Sequence, residues 1–131
     1  MRGMLLLVIA AVIVLTSSAQ ATVMGEITSY PSRVTFAATP NGGGVDGTGE
    51  TMVVTITSPK AACRQRRLFH VAIESAPGHE KTYVYRTDAA GRWTLDTVAS
   101  IGPARVTVAV PSKRLDRSHR CKTARTAASV P

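Results

Sequence analysis

The chain has 131 residues, with 16 Lys and Arg against 8 Asp and Glu, a formal charge of +8, three His and two Cys. From Thr22 onward, Val, Ile, Leu and Phe make up only 21 of 110 residues, close to the composition at which charged chains remain unfolded. A large core is excluded, and so are a multidomain enzyme, a coiled coil and a polytopic membrane protein, because the chain has a single long apolar run.

That run comes first. Met1-Arg2-Gly3 is a cationic start, residues 4–15 are unbroken apolar, and Thr16-Ser17-Ser18-Ala19-Gln20-Ala21 ends in small residues at the spacing a signal peptidase reads. Residues 1–21 are therefore read as a signal peptide cleaved after Ala21. Twelve apolar residues are too few for a helix that must cross the hydrocarbon with about 20. The expected product is secreted, with no stable membrane span after cleavage, and carries a net charge of +7.

Downstream, no apolar spacing of three or four persists for three turns, whereas short runs alternate with period two. Strands are expected at residues 26–30, 33–37, 51–58, 68–74, 82–87, 92–96, 104–110 and 122–130, all rich in Val, Thr, Ile or aromatics. In the third run Met52, Val54 and Ile56 face one way and Val53, Thr55 and Thr57 the other. Residues 40–49, with five glycines, read as a long loop or linker after an N-terminal edge strand. The expected organisation is an N-terminal strand region with this loop at residues 22–50, followed by a β-sandwich at residues 51–131.

Cys63 and Cys121 are the only cysteines, and in an oxidising compartment they are expected to form a disulfide. In the chain-entropy model, closing such a loop removes roughly 4 kcal/mol of unfolded-state freedom. His70 falls opposite Phe69, Val71 and Ile73, on the solvent side, and His79 and Glu80 fall in the Pro77-Gly78 turn. Asp88-Ala89-Ala90-Gly91-Arg92-Trp93 reads as a hairpin in which Asp88 caps the turn, Gly91 takes a left-handed conformation and Trp93 returns to the core.

Two groups of cations flank the cysteines: Lys60, Arg64, Arg66 and Arg67 near the first, and Lys113, Arg114, Arg117, Arg120, Lys122 and Arg125 around the second. Closing the disulfide brings them to one end of the sandwich. A basic pole of Arg64, Arg66, Arg67, Arg114, Arg117 and Arg120 would attract polyanions such as an anionic cell-wall polymer, an acidic polysaccharide or nucleic acid released outside the cell; the rival reading is that these arginines sit in solvated loops with no partner. Neither group contains an aromatic residue, which disfavours base stacking.

No nucleophile elbow, His-Glu-x-x-His pair, phosphate loop or calcium loop occurs, so no catalytic residue, metal or cofactor is assigned. A hydrolase would need His70, His79 or His119 to meet a carboxylate in a cleft. A protease inhibitor would offer residues 40–49 as its exposed loop.

The order of Cys63-Arg64-Gln65-Arg66-Arg67, Thr87-Asp88-Ala89-Ala90-Gly91-Arg92-Trp93, the strand at residues 104–110 and the late Cys121-Lys122-Thr123-Ala124 resembles secreted bacterial transthyretin-like, carboxypeptidase-regulatory-like domains. Gly102-Pro103-Ala104 departs from the Gly-x-Tyr usual there. The resemblance implies an immunoglobulin-type sandwich of about seven strands used as a stalk, spacer or adhesive module. The sequence thus reads as an all-β, disulfide-closed, non-catalytic module whose partner is an envelope polymer or an extracellular protein.

Overall fold

A computed structural model describes residues 26–131. The expected signal peptide and its cleavage after Ala21 lie outside the described residues. The chain forms β1 (Thr28–Tyr30), β2 (Arg33–Pro40), β3 (Glu50–Thr57), a 3-10 turn (Ala61–Cys63), β4 (Leu68–Ala76), β5 (His79–Arg86), β6 (Arg92–Asp96), β7 (Ala104–Val110), β8 (Lys113–Arg114), β9 (His119–Cys121) and β10 (Ala124–Val130).

Seven strands build the two main sheets, β10-β7-β4-β5 and β2-β3-β6, both antiparallel. The expected β-sandwich is therefore present, but with ten strands among the described residues and not about seven. The other three form a small sheet, β1-β9-β8, in which β1 runs parallel to β9. Segments this short, cationic and poor in apolar residues carry no alternation to read, so β8 and β9 were not foreseen.

Alternation places the core. Met52, Val54 and Ile56 on β3 and Val106, Val108 and Val110 on β7 point inward and are buried, with Val34, Phe69, Val71 and Val130 completing the interior. Branched side chains suit this role because their few rotamers already fit a pleated sheet. His70 is partly exposed between the buried Phe69 and Val71, as its phase on β4 requires.

Three expectations change. Pro77 and Gly78 alone close the β4–β5 turn, with Gly78 at φ +80, so pairing resumes at Ala76 with His79, and His79 and Glu80 belong to β5. Residues 41–49 are the expected long loop, closing the β2–β3 hairpin, and not a linker: Asn41 N–H donates to Gly49 O, and Gly49 N–H to Gly43 O. β2 pairs with β3 along its whole length, so residues 33–50 are part of the sandwich.

The turn after β5 keeps its predicted chemistry but not its predicted topology. Asp88 Oδ1 accepts from Ala90 N–H at 2.8 Å and Arg92 N–H at 2.9 Å, and Gly91 has φ +85. β5 and β6 nevertheless lie in different sheets, so Asp88, Gly91 and Trp93 make a crossover between sheets and not a hairpin. The cause is the pairing of β6: Gly91 O accepts from Ile56 N–H at 2.8 Å and hands the chain to β3.

A Cβ at Gly91 would sit 2.5 Å from Ile56 O and 3.1 Å from Arg64 Cβ, on a backbone that L side chains rarely adopt. Gly91→Ala is expected to cost roughly 2–3 kcal/mol in chemical denaturation. A loss below about 0.5 kcal/mol would show that the crossover is not held this tightly.

Candidate anion-binding surface

Cys63 and Cys121 are bonded, fully buried, and 5.5 Å apart at Cα. Beside them lies Arg67, whose residue is only 1% exposed. Its guanidinium donates to four acceptors: Cys63 O at 2.6 Å, Pro111 O at 2.8 Å, Lys122 O at 2.9 Å and Ser32 Oγ at 3.2 Å. Burial lowers its pKa, but a guanidinium keeps its proton in proteins, so a positive charge is held here by neutral oxygens. The backbone of the same residue is fixed by Thr87, whose Oγ1 accepts from Arg67 N–H and donates to Arg64 O.

Arg67 was expected on the polyanion-binding surface; it is instead an internal tie between segments that enter this end of the sandwich. Arg64 is half-buried and spends its Nη1 on Ser58 O at 2.9 Å. Arg66 is exposed, in a left-handed conformation at φ 46, with its N–H bonded to Asp88 O. The first cluster therefore loses Arg67 to the interior and half-buries Arg64, while Lys60 and Arg66 stay exposed.

The second cluster does gather. Lys113, Arg114, Arg117 and Arg120 line a cavity of about 270 Å³ on the small sheet, together with Ser112, Ile27, Asp116 and His119. Lys113 Nζ donates to Ala62 O at 3.1 Å, tying this cluster to the turn that carries Cys63. Tyr30 lies between His119, stacked at 6.1 Å, and Lys60, whose Nζ is 5.5 Å from the ring centre.

Among the described residues Asp116 is the one carboxylate in the cavity lining, and it is engaged. Its Oδ1 accepts from Ser118 N–H at 2.8 Å and lies 2.8 Å from His119 Nδ1. These contacts, the Ser118 N–H first and His119 second, hold its pKa below the ordinary 3.8. Whatever stability the lowered pKa contributes is complete above 3.8 and fades as the pH falls through the lowered value.

His119 has thus met a carboxylate, as a hydrolase would require. Ser118 Oγ, however, approaches the same ring nitrogen, at 3.2 Å. A relay needs nucleophile and acid on opposite nitrogens, so this group is built as a turn lock.

A second feature lies on the open side of the sandwich, between β5 and β6. Trp93, expected in the core, packs on Phe69 at 5.6 Å and Tyr85 at 4.4 Å but stays partly exposed. With Val71, Ile73, Tyr83, Tyr85 and Leu95 it lines a cleft of about 260 Å³. The alternation of Tyr83 and Tyr85 was visible, but nothing in sequence says that no further strand covers them.

Comparison of the chain with protein-family models, with curated proteins and with solved structures finds no match.

Removing Arg67 leaves the buried Cys63 carbonyl, two part-buried carbonyls and a hydroxyl without their donor. Arg67→Ala is expected to destabilise by about 3 kcal/mol or more, and Arg67→Lys to recover only part, since an ammonium does not reproduce the planar fork. Equilibrium denaturation checks both; a wild-type midpoint for Arg67→Ala would contradict the role assigned to this side chain.

Proposed function

We propose that the protein is a non-catalytic interaction module that works outside the cytoplasm and holds polyanions on the face formed by Lys113, Arg114, Arg117 and Arg120. The observation that carries this is the cavity lined by four cations whose single carboxylate is already committed to Ser118 and His119. Lys113 donates to Ala62 O, Arg114 Nε to Asp116 O and Arg120 Nε to Ser29 Oγ, all neutral oxygens that leave the charges uncompensated, and charge-assisted hydrogen bonds to an entering anion are the strong ones. The buried charge of Arg67, bonded to Pro111 O and Lys122 O on either side of the segment that carries this face, has no carboxylate partner among the described residues and adds to its positive potential.

Export is supported by the reading of residues 1–21 and fits the Cys63–Cys121 bond, which persists in oxidising compartments. Among the described residues no helix is long and apolar enough to cross a membrane. The resemblance to secreted transthyretin-like spacer and adhesive domains is consistent with a module that recognises without reacting. Extended anionic polymers of the cell envelope are the ligand class that suits a shallow, exposed cationic face.

Retention on heparin or immobilised teichoic acid along a salt gradient tests this. Elution well above physiological ionic strength, about 0.15 M, is expected. The triple variant Arg114→Glu, Arg117→Glu, Arg120→Glu should lose retention while its denaturation midpoint stays near wild type. Elution of the wild type at or below that salt, or unchanged retention of the variant, contradicts the reading.

A further inference from the structure

β5 is the last strand of its sheet, eight residues long and exposed along nearly all of its length. Natural sheets protect such edges with short strands, proline, bulges or charged side chains, and a long open edge is a template for another strand; β5 has charges at Glu80, Lys81 and Arg86, which repel or attract a second strand according to its register. This one also exposes apolar surface, with Tyr83 at 40% and Val84 at 54%. What the edge offers can be read from its order, His79-Glu80-Lys81-Thr82-Tyr83-Val84-Tyr85-Arg86.

We propose that a second copy of this chain pairs antiparallel with β5 about a two-fold axis at Tyr83. In that register Glu80 faces Arg86 of the other copy, Lys81 faces Tyr85, Thr82 faces Val84 and Tyr83 faces its own equivalent. Residues opposite each other in an antiparallel pair share a face, so the two Glu80–Arg86 contacts form at the two ends of the joint. A two-fold joint requires such self-complementarity.

The charges on the row argue for the same register. Within one chain Glu80 is the direct neighbour of Glu74 on β4, and Glu74 in turn of Arg105 on β7. Like charges directly opposite are unfavourable. Among the described residues neither Glu80 nor Arg86 has an ion-pair partner; Arg86 Nη1 donates only to Arg66 O, at 3.2 Å. Arg86 of the second copy completes the row as Arg105, Glu74, Glu80, Arg86 and offsets the Glu74–Glu80 repulsion. The joint extends the four-stranded sheet to eight strands and covers Tyr83 and Val84. It rests on the open edge and on none of the residues of the basic face.

Sedimentation velocity of the purified exported protein, from about 1 μM to about 1 mM, is the test. A concentration-dependent dimer is expected. Glu80→Arg alone and Arg86→Glu alone should each weaken it roughly tenfold or more, because each sets like charges opposite one another at both ends. An equimolar mixture of the two variants should restore it, since every cross-contact between them is again of opposite sign; this restoration also proves both variants folded. Val84→Lys, exposed and outside the charged pair, should weaken the dimer as well. A protein that stays monomeric throughout overturns the proposal and leaves the edge to a strand of another protein. A dimer indifferent to both reversals, or not restored by mixing, overturns it equally.

Discussion

The structure turns on a charge placed where charges are rarely found. The Arg67 guanidinium is buried beside the disulfide, and what surrounds it is not a carboxylate but the carbonyls of Cys63, Pro111 and Lys122 and the hydroxyl of Ser32. Removing a cation from water is costly, and only a full set of acceptors makes it tolerable. Five donors in a rigid fork can satisfy acceptors from several segments at once, which no other side chain does. Here it joins the start of β2, the turn before β4, the end of β7 and the entry to β10. Disulfide and guanidinium thus close the same end of a domain whose core is a thin layer of branched and aromatic side chains.

That closure has an electrical consequence. The chain carries twice as many cations as anions, and the segment between β7 and β10 holds an unusual share of them. Because the Cys63–Cys121 bond pins the segment to the 3-10 turn, its arginines are gathered around one cavity instead of spread along a free loop. The β5–β6 flank has no such closure: β5 and β6 end their sheets, and the aromatic residues between them are only half covered. One molecule therefore presents a charged face and an unpaired edge. Joined along that edge, two molecules would carry two charged faces, and a polymer that reaches both is held far more tightly than by either alone.

Much of the sandwich was legible, and the reason is local. On β3 and β7 every second residue is apolar and branched, and period-two alternation needs no knowledge of the partner strand. Asp88 and Gly91 likewise announce their turn through bonds made within five residues. The topology was hidden because the same turn can lead into a hairpin or across to another sheet; the choice is made by Ile56, far away in sequence. Arg67 was hidden among Arg64, Arg66 and the other cations, since four acceptors from distant segments distinguish it and its neighbours in sequence do not. Trp93 and Tyr83 carried the right alternation, but their half-exposed state depends on the absence of a covering strand, which is a property of the whole sheet order.

Hydrogen exchange at the arginine guanidinium groups, followed by nitrogen-resolved NMR, tests the central tie most directly. Arg67 should give slowly exchanging, separately resolved Nη signals while Arg114, Arg117 and the other exposed arginines exchange rapidly and average. An Arg67 side chain that exchanges as fast as theirs would mean that its charge is solvated, and that this end of the sandwich is not assembled around it.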